Sequence, residues 1–80
     1  MKTSMEYIYQ IYLDGSLTEA AEKLHLTQPA LSLAVRQEEK NIGSAIFDRS
    51  QRPWTLTMAG ETYIRVAEQI NGWSPICPEN

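Results

Sequence analysis

The stretch Gly15-Ser16-Leu17-Thr18-Glu19-Ala20-Ala21-Glu22-Lys23-Leu24-His25-Leu26-Thr27-Gln28-Pro29-Ala30-Leu31-Ser32 decides how this chain folds. Ser16 followed three residues later by Glu19 is a capping box, in which a hydroxyl and a carboxylate each satisfy a free amide at a helix start. Leu17, Ala20, Ala21 and Leu24 then make the apolar stripe of a short helix, and the two alanines let a neighbouring helix approach closely. His25-Leu26 is a brief connection. Thr27 caps a second, longer helix whose first turn tolerates Pro29, because an amide there has no intrahelical partner. Leu31, Ala34, Val35 and Ile42 mark its buried face and Gly43 its left-handed terminator, which gives a helix of about four turns over 28–41.

Outward from this core, Met5, Ile8, Tyr9, Tyr12 and Leu13 recur at helical spacing after a second capping box, Thr3 with Glu6, and Asp14-Gly15 ends that first helix. Beyond Gly43, Ala45–Arg49 and Pro53–Leu56 are β-prone pieces around the polar turn Ser50-Gln51-Arg52, which predicts a small hairpin. Thr57 caps a fourth helix carrying Ala59, Tyr63, Val66, Ala67 and Ile70 on one face, with Gly72 as its stop. The order is α-α-α-β-β-α, a mainly α fold. Residues 1–71 read as one folded domain, and Gly72-Trp73-Ser74-Pro75-Ile76-Cys77-Pro78 abandons helical patterning, so residues 72–80 read as an irregular C-terminal tail. Two helices about a tight turn are the arrangement of a helix-turn-helix, whose second helix enters the DNA major groove.

Composition narrows the function further. Eighty residues, 42% apolar and 21% charged, support one small core. A domain of this size buries only about 60 to 65% of its unfolded surface, which leaves little room for a deep substrate cleft. Cys77 is the single cysteine and His25 the single histidine, so neither a metal cluster nor a nucleophile and base pair can be assembled from them. The chain is expected to be no enzyme and to need no cofactor or metal. No run approaches the roughly 18 to 20 apolar residues of a membrane span, and MKTSMEYIYQ lacks an apolar signal core, so a cytoplasmic location is expected. A net charge of -3 argues against attachment to phosphates or anionic lipid by bulk charge.

Three blocks of this sequence resemble the winged helix-turn-helix DNA-binding domain at the N-terminus of LysR-type bacterial transcriptional regulators. They are Gly15 to Ala21 with Leu24; Leu26 to Ser32 with Val35-Arg36; and Ile46-Phe47-Asp48-Arg49 through Arg52 to Leu56-Thr57-Met58-Ala59-Gly60. The likeness runs over about residues 5–70. It implies a three-helix core whose third helix reads double-stranded DNA, a hairpin wing, and a fourth, linker helix through which two copies pair as a homodimer on an operator of two half-sites. Thr27, Gln28, Pro29, Ser32, Leu33 and Arg36 are then the DNA-binding residues of the recognition helix. Gln28 is the best base reader, since its amide can bond adenine N6 and N7 together, and Arg36 suits a phosphate or a guanine. Arg49 and Arg52 flank the wing tip and would reach the backbone or minor groove, although Arg49 also has Asp48 or a helix carboxylate within reach as partner. Tyr63, Val66, Ala67 and Ile70 are the expected pairing residues.

The sequence departs from the family pattern in places. Glu38 stands on the apolar stripe of the third helix where the family usually has leucine, so that edge is either exposed or supplied with a partner for the carboxylate. Leu33 and Gln37 occupy positions where relatives often carry polar or basic groups; Leu33 suits thymine methyls. The chain ends soon after the fourth helix, which predicts that it lacks an effector-binding domain and senses no small molecule. Charge divides unevenly: residues 27–56 hold Arg36, Lys40, Arg49 and Arg52 against Glu38, Glu39 and Asp48, a net of +1, and the acidity lies on either side. Two functions are therefore open, sequence-specific DNA binding as part of a transcriptional regulator, and a protein-interaction module that pairs through the fourth helix and binds DNA weakly.

Overall fold

A computed structural model describes residues 3–51 and 53–73. Four helices, α1 (Ser4–Asp14), α2 (Leu17–Leu24), α3 (Gln28–Ile42) and α4 (Met58–Asn71), surround one core, with strands β1 (Phe47–Asp48) and β2 (Thr55–Leu56) between α3 and α4. The strands pair antiparallel, Phe47 opposite Leu56 and Asp48 opposite Thr55. Each strand is only two residues long, shorter than the pieces expected from sequence, because Pro53 has no ladder donor to offer.

Local chemistry sets the helix ends. Thr3 and Glu6 close the first capping box reciprocally, Thr3 Oγ1 accepting at 3.2 Å and Glu6 Oε1 at 2.9 Å. At α2 the serine half of the second box forms, Ser16 Oγ accepting from the Glu19 amide at 3.2 Å. Thr27 and Thr57 cap α3 and α4, accepting from Ala30 and Gly60. Gly15, Gly43 and Gly72 close α1, α3 and α4 in the left-handed region, and His25 does the same for α2 at φ 59°.

The core is built from Ile8, Ile11, Ala20, Ala21, Leu31, Val35, Ile46, Phe47 and Ile64. Ala20 and Ala21 lie buried between α1 and α3, as their small size predicts. Five assignments move. Leu13 is 47% exposed and Ile11 takes its place in the core, while Ile42 in the last turn of α3 is 43% exposed. Ala34 is only half-buried. On α4 the buried residues are Gly60, Ile64 and Ala67, a stripe shifted from the one expected. Finally, Trp73, placed in the tail by its sequence, belongs to the folded body: its ring lies 4.7 Å from that of Tyr9, and its amide donates to the Glu68 carbonyl at 3.0 Å. That bond and left-handed Gly72 make a Schellman ending whose next residue packs back on the core. Residues 74–80, with Pro75, Cys77 and Pro78, lie outside the described residues.

Candidate nucleic-acid interface

The two faces of α3 divide cleanly. Leu31 and Val35 are fully buried, whereas Gln28, Pro29, Leu33 and Arg36 are exposed, with Ser32 half-buried at their edge. Leu33 is 55% exposed, an apolar side chain held out to solvent beside Gln28 and Arg36. Thr27 is exposed and its oxygen accepts from the Ala30 amide, which leaves one lone pair and the hydroxyl proton available outward. The free amides of the first turn, with the helix dipole, favour an anion at the same end.

A cleft of about 300 Å³ opens beside this end, lined by Ile11, Gly15, Ser16, Leu17, Thr18, Gln28, Pro53 and Trp54. It brings together the start of α2, the start of α3 and the return arm of the wing. Trp54 and Thr18 had not been singled out from sequence. The signal for Thr18 was present, since it stands in the first turn of a capped helix; Trp54 enters only because the hairpin folds back.

The wing is docked by one carboxylate. Glu39 Oε2 accepts from the amides of Ile46 at 2.8 Å and Phe47 at 3.3 Å, and Oε1 pairs with Arg49 Nη2 at 3.2 Å. The Arg49 guanidinium also lies 4.9 Å from the centre of the Trp54 ring, and Trp54 in turn packs on Phe47. Of the two partners open to Arg49 in the sequence, the helix carboxylate takes it. Asp48 instead accepts from the Ser50 hydroxyl and amide, which holds its carboxyl below the usual range. Arg52 lies outside the described residues.

On α4, Val66 is 41% and Ile70 69% exposed, but Ala67, expected on the same face, is fully buried in the core. Tyr63 is half-buried and donates its hydroxyl to Glu38 Oε2 at 2.8 Å, so the carboxylate on the apolar stripe of α3 is supplied with a partner. Burial, then this hydrogen bond and the charge of Glu38, push the Tyr63 phenol well above its ordinary pKa. Tyr9 donates similarly to Glu68 at 3.0 Å, and burial together with that carboxylate raises it to about 12. Among the described residues no cluster of three or more His, Cys, Asp or Glu could hold a metal, and no helix is long and apolar enough to cross a membrane.

A helix-turn-helix whose second helix keeps one face exposed, followed by a two-stranded wing and a long helix, defines a winged helix-turn-helix fold of the DNA-binding kind. The sequence pattern of the family described as "Bacterial regulatory helix-turn-helix protein, lysR family" matches residues 3–61, and the chain belongs to that family. Among its relatives are the HTH-type transcriptional regulator CfxR of Cupriavidus necator, 46% identical over 58 residues, 72% of this chain and 18% of that protein. The uncharacterized HTH-type transcriptional regulator YcgK of Bacillus subtilis is 42% identical over 66 residues, 82% of this chain and 20% of that protein. The chain thus spans about a fifth of the length of these curated relatives. The crystal structure of the BenM DNA-binding domain with catB site 1 DNA superposes with a TM-score of 0.82 at 28% identity, covering 86% of this chain and 74% of that one. The CbnR DNA-binding domain in its DNA complex gives 0.79 at 28% identity, over 86% of this chain and 79% of that one. The chain is accordingly a LysR-type helix-turn-helix DNA-binding domain of the kind found in transcriptional regulators.

Proposed function

We propose that this domain reads operator DNA in the bacterial cytoplasm by laying the exposed face of α3 in the major groove. Two copies pair through α4 to engage two half-sites. The observation that carries the reading is the division of α3: Gln28, Pro29, Leu33 and Arg36 project together into solvent while the opposite face fills the core. Gln28 reads a base, Pro29 and Leu33 offer apolar surface to thymine methyls, and Arg36, with Ser32 at the edge, takes a phosphate or base edge. The cleft beside Gln28 accepts the DNA backbone between the starts of α2 and α3. Arg52, which falls between the two strands in sequence, is assigned to the backbone or minor groove. Pairing is assigned to Val66 and Ile70, which stand one turn apart and exposed, whereas Tyr63 is half-buried with its hydroxyl turned inward to Glu38.

Selection of bound duplexes from a random pool tests this. Wild type is expected to enrich a site of two half-sites related by a two-fold axis. Gln28→Ala is expected to cost about 1–3 kcal/mol on that site and relax one base position, while Arg52→Ala weakens all sequences alike. Equal affinity of wild type and both variants across the pool would overturn the reading. The exposed apolar residues of α4 also suit a module that pairs with a full-length regulator and contacts DNA weakly. A strict monomer by light scattering, with no partner bound through α4, counts against that second reading.

A further inference from the structure

Glu38 has no direct route to DNA. An α-helix turns about 100° per residue, so Glu38 points about 200° away from Arg36, on the side of α3 opposite the contact face. What it touches is α4, through the Tyr63 hydroxyl at 2.8 Å, a bond between residues 25 apart in sequence. The next residue, Glu39, holds the wing in the manner described above. Farther along α4, Glu68 accepts from Tyr9 of α1. Two phenols donating to carboxylates thus tie α4 to the rest of the fold, with Asn71 Nδ2 donating to Met5 Sδ of α1 at 3.4 Å, and among the described residues only the Tyr63–Glu38 bond joins the side chains of α4 and α3.

We infer that the Tyr63–Glu38 hydrogen bond is a strut that fixes the angle between the recognition helix and α4, which makes Tyr63 and Glu38 positioning residues for reading paired half-sites. Gln28 lies ten residues from Glu38, about 15 Å along the axis at 1.5 Å per residue, so a tilt of about 10° about the strut moves the reading end by about 3 Å. In a pair built through α4 the displacement occurs in both copies. The combined movement exceeds the roughly 3.4 Å rise of a base pair, so looseness at the strut appears as tolerance to half-site spacing. Both phenols remain protonated donors through the physiological range, so the strut holds irrespective of pH there.

The inference rests on the DNA-reading proposal, and the experiment separates the two. The 80-residue chain is titrated against duplexes carrying one selected half-site, and against duplexes carrying two at the best spacing and one base pair either side. Tyr63→Phe keeps the ring and removes the donor; Glu38→Ala removes the acceptor from a half-buried position. Each is expected to leave single-half-site affinity and base preference unchanged while reducing the spacing preference about fivefold, within the roughly two- to thirtyfold span of such couplings. Glu38→Gln retains an acceptor and is expected to keep the wild-type preference. The strut is overturned if Tyr63→Phe and Glu38→Ala discriminate spacing as wild type does. It is equally overturned if single- and paired-site affinities fall by the same factor, the signature of a merely structural loss. A wild type that prefers no duplex at all instead removes the DNA-reading proposal, and the strut with it.

Discussion

Arg49 is a wing residue whose guanidinium faces inward. It sits against Glu39 on one side and the Trp54 ring on the other, and Glu39 is the less exposed partner, with 13% of its side chain accessible. Such an arginine contributes to docking the wing, and a phosphate must compete with a carboxylate already in place. Arg49→Gln is therefore expected to leave the slope of log affinity against log salt unchanged while costing about 1–2 kcal/mol of stability. Arg36→Gln, on the exposed face of α3, is expected to reduce that slope by about 1 without loss of stability. Salt titration of DNA binding and thermal melting of both variants check the contrast. Gly60 holds the wing from the other side: a Cβ there would run into the Ile46 carbonyl oxygen and crowd the Leu56 side chain. The roughly 1 kcal/mol that alanine gains over glycine in a helix is too small to offset an overlap with backbone, so Gly60→Ala is expected to destabilise by about 2 kcal/mol net in denaturant unfolding. The sequence offered Arg49 a helix carboxylate as one of two partners without choosing between them, and it showed nothing of the packing at Gly60, for the same reason. Glu39 and Arg49 are ten residues apart, Ile46 and Gly60 fourteen, and each contact exists only once the wing has folded back.

The four helices were legible because their ends are written in local chemistry: hydroxyl caps at Thr3, Ser16, Thr27 and Thr57, and glycine terminators at three of the four far ends. The exception, His25, was read as a connector, and the structure makes it a C-cap at φ 59°. A β-carbon in the left-handed region costs roughly 1–2 kcal/mol, partly offset by the extra unfolded-state freedom of glycine. His25→Gly is expected to stabilise the domain by about 0.5–1 kcal/mol, measured by the midpoint of thermal unfolding, and His25→Val to destabilise it by more. Burial phase was less legible than helix position. On α4, Tyr63, Val66, Ala67 and Ile70 look like one face, but Ala67 packs inward with Gly60 and Ile64 while Val66 and Ile70 face outward. Two adjacent apolar stripes merge into one in a sequence pattern, since periodicity reports apolarity and not which neighbour covers it. The tyrosine bonds that fasten α4 also leave a pH signature. Tyr9 titrates near 10 when unfolded and at about 12 when folded, so its contribution is complete below pH 10 and lost as pH rises toward 12. Stability of wild type is expected to be level from pH 7 to 9 and then to fall. Tyr9→Phe, measured by urea unfolding across the same range, is expected to fall less steeply.

At the scale of the whole molecule the question is how a chain of net charge -3 approaches a polyanion. The division of charge along the sequence already placed the acidity outside α3 and the wing, and the fold sharpens this. Arg49 is neutralised by Glu39 and Lys23 by Asp14, while Arg36 and Lys40 stand exposed on α3. The acidic side chains before and after them, Glu19, Glu22 and Glu61 among the exposed, act on DNA only through space. Whether they act depends on screening. The molecule measures 34 × 27 × 26 Å. The Debye length is about 10 Å at 0.1 M salt, a fraction of those dimensions, so acids remote from the groove are screened out and only the contact face counts. At 0.01 M it is about 30 Å, which spans the molecule, and the whole net charge repels the duplex. Counterion release from the contacted phosphates pulls the other way, strengthening binding as salt falls. The two trends oppose each other at low salt. A plot of log affinity against log salt for a nonspecific duplex is therefore expected to be straight above about 0.1 M and to flatten toward 0.01 M. A basic domain would continue to rise. Replacing Glu22 and Glu61 together by glutamine reduces the net charge to -1 and, being confined to exposed positions, leaves stability nearly unchanged. The double variant is expected to bind as wild type does at 0.2 M and more tightly at 0.01 M, with the flattening diminished. Fluorescence anisotropy over that salt range measures both curves, and a wild-type plot that stays straight to the lowest salt refutes the account of the acidic surface as a screened, long-range repulsion.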